Sequence, residues 1–205
     1  LKNNHEQGIF NIFSMHAGQE HVNYPDYNDI LMARQLSKIC PYVYYGHHPH
    51  VIQGAEEYNQ SILAYSLGNF CFDDVYIDKS DVPLVKQSKN NKIAFMLEIE
   101  LEENQVINIK KIPIYIGNES LSLNVNKDYI EKKLNEYSEK LKIDKSTYIK
   151  DRSKLIDTYI NSRKSIRNFK WYLQRLKFKS VKMIFNAKFN SYKNKKLVLS
   201  KLNDN

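Results

Sequence analysis

Cysteine, glycine, proline and tryptophan are all scarce in these 205 residues: two, six, five and one of each. Cys40 and Cys71 match no metal motif, and by themselves they leave two free thiols or one disulfide open. Both lie beside apolar runs, where a reduced, buried role is expected. No run of 18 apolar residues supports a transmembrane span. No glycine or proline follows Gly117, which favours helices over the remaining chain. At 24.2 kDa the chain can bury one substantial core with a helical appendage, but scarcely two large domains.

Acidic charge is short in one place. Residues 1–120 hold 9 Lys and Arg against 15 Asp and Glu, whereas residues 121–205 hold 22 against 8. The basic surplus therefore belongs wholly to the second segment, and the reading is a domain at 1–120 followed by a basic helical region at 121–205. Apolar residues at helical spacing predict helices over Asp128–Leu141 and Ser146–Leu176. Further on, Lys170, Lys177, Lys179, Lys182 and Lys188 interleave with Trp171, Tyr172, Phe178 and Phe185. Nucleic acid is a weak expectation for this pattern, because no reader module is recognisable. Packing against the first domain or against a protein partner suits a lysine-rich amphipathic helix best, and an anionic membrane surface next.

What the first segment does have is histidine next to strand signals. Gly8–Met15 reads as a strand, and its apolar density suits burial in a parallel sheet. His16 and Gly18 follow. Asn28–Ile39 has Met32, Ala33, Leu36 and Ile39 at helical spacing, with Asn28 or Asp29 as a cap. Pro41 ends that pattern, and Tyr42–Tyr45 is a second strand running into Gly46-His47-His48-Pro49-His50. Strand, loop, helix, strand, loop is a βαβ crossover, which puts both histidine loops at the carboxyl edge of one parallel sheet, where open α/β folds bind ligands.

His48 and His50 are two apart, and Pro49 pushes His48 toward extended backbone, so both rings are expected on one face. With His16 they form a candidate set for a borderline divalent metal such as Zn²⁺, Mn²⁺ or Fe. His47 is expected to point away from its neighbours. Glu20 and His21 are candidates to orient a ligand from behind. Ile62–Leu67 reads as a strand entering a Gly68-Asn69 turn, with Phe70 and Phe72 resuming its alternation; Asn69 either makes the turn or presents its amide to the site. Asp73 and Asp74 read as a solvated loop edge, and Val75–Asn91 as a linking loop. Lys92–Leu101 and Val106–Ile116 predict an antiparallel hairpin, with Pro113 at an edge or strand end.

The stretches FSMHAGQEH and YGHHPHVIQGAEEYNQSILAYSLGNFCFDD resemble the CapA, or poly-γ-glutamate capsule synthesis, family, which is itself similar to the calcineurin-like metallophosphoesterases. The resemblance spans roughly 9–116. It implies an α/β fold of the kind found in the C-terminal half of a calcineurin-like β-sandwich with flanking helices. It also implies that His16 is the ligand of an H-x-G segment, and that His48 and His50 are those of a final H-x-H motif. Ala17 stands where the family usually has tryptophan, and His21 where it has tyrosine.

The family's acidic and Gly-Asp elements would precede His16, where this sequence has none. Leu1 is no initiator methionine, so a truncated chain is expected. Such a chain would hold half of a two-metal centre, at most one ion, and little phosphoesterase activity alone. The implied role is capsule or extracellular polymer biosynthesis at the cell envelope, with capsule-assembly proteins or an anionic membrane as partners. The alternatives are a phosphoesterase completed by an upstream segment and a non-catalytic, membrane-associated assembly partner.

Overall fold

A computed structural model of the chain describes residues 1–76, 83, 85–103, 105–117, 120–123 and 125–166. The Ser146–Leu176 helix is thus seen up to residue 166, and the lysine-aromatic segment from Phe169 onward lies outside the described residues. The described part is α/β. Leu1–Tyr159 forms one compact unit, and a second begins at Ile160.

After a short helix α1 (Lys2–Glu6), strand β1 (Asn11–His16), helix α2 (Tyr27–Leu36) and strand β2 (Tyr42–His47) make the βαβ crossover. β1 and β2 run parallel, with Asn11 opposite Tyr42 and His16 opposite His47. Strands β3 (Ala55–Tyr58) and β4 (Ser61–Ala64) complete a sheet of order β1-β2-β4-β3, in which β4 is parallel to β2 and β3 antiparallel to β4. The interior strands are the apolar ones: every residue of β4, and most of β2, is buried, as interior strands of a parallel sheet require.

β1 departs from the expectation of full burial. It is an edge strand whose residues alternate, Asn11 buried and Ile12 62% exposed, because one of its two faces meets the core and the other is open. The cap of α2 also differs. Asp26, rather than Asn28 or Asp29, accepts a hydrogen bond from the Asn28 N–H at 3.0 Å. The buried face of α2 is Ile30 and Ala33, while Ile39 falls beyond the helix and is half-exposed.

A hairpin of β5 (Ile93–Glu102) and β6 (Gln105–Ile116), with the short β7 (Leu121–Ser122), forms the second sheet. Pro113 faces Phe95. The Phe95 N–H is turned to the Leu67 carbonyl at 3.1 Å, so this pair exchanges no ladder bond and the missing proline N–H leaves the hairpin intact. An isolated bridge, Gly68 to Ala94, ties the two sheets together.

Helices α3 (Lys127–Lys140) and α4 (Lys145–Ile166) follow. Asp144 makes the joint, accepting from the Ser146 hydroxyl at 2.6 Å and the Thr147 N–H at 3.0 Å. Leu141 and Tyr148, at this joint, enter the core formed by Ile30, Ala33, Tyr42, Tyr44, Leu63 and Tyr65. Ile130 and Leu134 of α3 pack instead with Ile52, Ala55, Ala64, Ile93 and Phe95.

The core is rich in tyrosine, and each buried hydroxyl needs a partner. Tyr42 donates to the Ala33 carbonyl, Tyr148 to the Pro25 carbonyl, and Tyr65 to Glu56 Oε1 at 2.7 Å. Glu56 also takes two bonds from Arg34, at 2.9 and 2.7 Å, and Arg34 reaches on to the Leu141 carbonyl. This fork geometry is the strong form of carboxylate recognition. Among the cysteines, Cys40 is buried as expected, but Cys71 is exposed, since Phe70–Phe72 leave the sheet as irregular, exposed chain and do not resume the alternation.

Candidate functional site

Two strand ends and one loop build the site. The parallel register sets His16 against His47 at the carboxyl ends of β1 and β2. Gly46 makes that possible: a Cβ there would lie 1.9 Å from the Tyr65 carbonyl oxygen, so no other residue lets β2 approach β4 this closely. Beyond β2 the chain is buried at Val51–Ala55, and a buried loop must satisfy its backbone. Asn23 donates to the Ile52 carbonyl, Ser66 to that of Val51, and the Gln53 N–H to that of Ser66.

The loop carrying the histidines is pinned from two sides. The Ala17 N–H donates to the His47 carbonyl at 3.2 Å, the His21 N–H to the Pro49 carbonyl at 2.7 Å, and Asn91 Nδ2 to the His50 carbonyl at 2.7 Å. These bonds overrule the extended backbone expected around Pro49. His48 has φ +103° and His50 +58°, with His21 at +60°. Positive φ in three non-glycine residues is stored strain of the kind that collects at functional sites. His48 and His50 still lie near each other, their ring centroids 6.2 Å apart, but through a left-handed turn.

The imidazoles of His16, His47 and His48 form a chain of contacts. His16 Nδ1 is 2.8 Å from His47 Nδ1, and His16 Nε2 is 3.1 Å from His48 Nδ1. Ser14 Oγ stands 3.4 Å from His47 Nε2. His47 therefore turns toward the cluster rather than away, because the parallel register gives it the same side as His16. Its burial, and then the charges His16 and His48 would carry, hold its pKa below the ordinary histidine value.

His50 belongs to a second group. Its Nδ1 is 2.8 Å from Asn69 Oδ1, and its ring packs 4.8 Å from that of Phe72 and 6.3 Å from that of His21. Asn69 is buried, its amide donating to the Asn91 carbonyl at 3.1 Å, so the Gly68-Asn69 turn does present an amide to this loop. Glu20 is half-buried in the turn between β1 and α2. Asn91 is the participant that sequence reading missed. It lies in Ser88-Lys89-Asn90-Asn91-Lys92, where nothing separates it from ordinary turn-forming asparagine; its partners are 41 and 70 residues away. Asp74 also does more than border a solvated loop, accepting from the Gln87 N–H at 2.6 Å.

Chemically, this set offers neutral nitrogen. His16 Nε2 and His48 Nδ1 stand near the spacing of two ligands on one tetrahedral ion, about 3.3 Å for metal–nitrogen bonds of about 2.0–2.1 Å. Among the described residues, however, no group of three or more His, Cys, Asp or Glu side chains stands ready to hold a metal ion. His16 turns its two nitrogens to two different rings, and His50 stands one ring away. The residues thus fit two ligands of a cation site, His16 and His48, as they stand.

Comparison with known proteins falls on this same segment. Residues 2–74 match the family described as Bacterial capsule synthesis protein PGA_cap. The chain is 35% identical over 103 residues to the PGA biosynthesis protein CapA of Bacillus subtilis (strain 168), a match covering 49% of this chain and 27% of that protein. It is 32% identical over 88 residues to the Capsule biosynthesis protein CapA of Bacillus anthracis, covering 43% of this chain and 21% of that protein. The matched stretch thus spans about a quarter of the length of these curated relatives. Residues 2–74, which carry His16 and the His47–His50 loop, are thus the part of the chain that is similar to the bacterial capsule synthesis protein family PGA_cap.

Proposed function

We propose that this chain acts in the biosynthesis of capsule or poly-γ-glutamate at the cell envelope, through a metal-dependent, phosphoesterase-like site to which it contributes His16, His48 and His50. The observation that carries this reading is the meeting of His16 and His48 at 3.1 Å across 32 residues of sequence, beside a His50 whose Nδ1 is engaged by Asn69. Engaging one imidazole nitrogen to free the other for a cation is the usual arrangement behind histidine ligands. A divalent cation bound there would supply Lewis-acid stabilisation of a phosphoryl oxygen and a hydroxide nucleophile.

The chain's own residues have simpler tasks. His16 and His48 would exchange their mutual hydrogen bond for the ion, with His16 keeping its proton on Nδ1 and donating a hydrogen bond from there to His47 Nδ1. His47 would accept that hydrogen bond on Nδ1 and face Ser14 through Nε2, and Asn69 would hold His50 in place. Imidazoles supply no bridging carboxylate, so turnover needs acidic ligands in addition to these three, and the chain alone is expected to hold one ion and to hydrolyse a generic phosphodiester poorly.

Calorimetric titration of the chain with Zn²⁺ and Mn²⁺ tests this. One ion should bind per chain, with affinity falling at least tenfold in His16→Ala and in His48→Ala. Binding that is absent, or unchanged in both variants, contradicts the assignment.

A further inference from the structure

The Asn91 side chain makes four polar contacts beside the histidine loop, and the residue is 2% exposed. Its orientation is unambiguous. Oδ1 accepts from the Ser88 N–H at 3.1 Å and from the Ser88 hydroxyl at 2.5 Å, so the other end of the amide is the donor. That donor, Nδ2, lies 2.7 Å from the His50 carbonyl oxygen and 3.0 Å from His21 Nδ1. A carbonyl oxygen can do nothing but accept, and backbone groups cannot flip, which removes the usual ambiguity of amide assignment.

The same logic carries on through Asn69. The Asn91 backbone carbonyl lies 3.1 Å from Asn69 Nδ2, which forces the Asn69 carbonyl oxygen toward His50 Nδ1, 2.8 Å away. An amide oxygen bears no hydrogen. His50 Nδ1 must therefore carry the proton, and its lone pair is on Nε2. His21 is set the opposite way: facing an amide donor, its Nδ1 accepts and its proton is on Nε2. Two histidines whose rings lie 6.3 Å apart thus take opposite tautomers from one asparagine.

We propose that Asn91 is a positioning residue for His50: its side chain fixes the His50 carbonyl, and its backbone carbonyl turns the Asn69 amide so that His50 keeps its proton on Nδ1 and its lone pair on Nε2. The positive φ of His50, +58°, is a consequence of that anchor. A neutral imidazole with a fixed lone pair is what a borderline divalent cation requires. The consequence for a cation rests on the function proposed above, whereas the tautomers do not.

Long-range proton–nitrogen correlation spectra of the imidazoles, recorded on the metal-free full chain at mildly alkaline pH, test the proposal. The expected result is His50 protonated on Nδ1 and His21 on Nε2. In Asn69→Ala, His50 should become a tautomer mixture while His21 keeps its state; in Asn91→Ala, which keeps the backbone carbonyl that turns Asn69, His21 should become mixed while His50 keeps its tautomer, and loss of the His50 carbonyl anchor should lower Zn²⁺ affinity about 10–100-fold. A wild-type His50 protonated on Nε2 overturns the proposal without recourse to any variant, as does an Asn91→Ala chain that folds and keeps both the His21 tautomer and the wild-type Zn²⁺ affinity. If the tautomers are as stated and Zn²⁺ does not bind, the positioning role stands and the cation reading falls.

Discussion

At the scale of single residues, the buried tyrosines give the fold a sharp alkaline limit. Burial pushes Tyr44 up to about 12, and it raises Tyr42, Tyr65 and Tyr148 as well, with the nearby Glu56 charge adding to the effect at Tyr65. In the unfolded chain these phenols ionise near pH 10. A folded pKa above the unfolded one means that the fold prefers the protonated form. That contribution is complete below about pH 10 and is lost as pH rises toward 12. The melting temperature should therefore hold level into mildly alkaline solution and drop steeply between about pH 10 and 12, with tyrosinate absorbance rising together with unfolding. Ionisation of these tyrosines near pH 10 in a protein that stays folded would contradict the burial described.

At the scale of elements, the left-handed turn after β2 is the strained part. His48 has φ +103°, a region glycine enters freely and other residues enter at a cost of about 1–3 kcal/mol. His48→Gly and His48→Ala both remove the ring, so their difference isolates the backbone. The glycine variant should be the more stable by about 1 kcal/mol in urea unfolding; equal or lower stability would mean that the turn is relaxed.

Elements also explain what could be read from the sequence. The β1-α2-β2 crossover was legible because apolar runs, the helical spacing in α2 and the stop at Pro41 all agree. Proximity of His16 to the His47–His50 loop then follows from chain topology alone. The β5-β6 hairpin was legible from alternation.

β3 was not legible. Ala55-Glu56-Glu57-Tyr58 has two carboxylates in a row, and it becomes a strand because β4 pairs with it across an Asn59-Gln60 turn, φ +47° and +59°, while Arg34 takes up Glu56. The exposed face of β1 could not be told from a buried one, because apolar density does not reveal which strand lies at an edge. The direction of His47 and the role of Asn91 depend on tertiary partners that local spacing does not encode.

At the scale of the whole molecule, the charge is divided. Residues 1–120 are acidic on balance and 121–205 strongly basic, and no described helix is long and apolar enough to cross a membrane. A basic segment near an anionic leaflet gains about 1 kcal/mol per Lys or Arg at the surface. The chain should therefore sediment with vesicles containing anionic lipid and release as salt rises; equal binding to neutral vesicles would remove the electrostatic basis for envelope attachment.

The shared cation is the claim on which the functional account turns, and the nitrogen count around a bound ion reads it most directly. X-ray absorption of the chain loaded with one equivalent of Zn²⁺ should report three imidazole ligands, falling by one in each of His16→Ala, His48→Ala and His50→Ala. An ion with no histidine ligands, or a ligand count that all three substitutions leave unchanged, would contradict it.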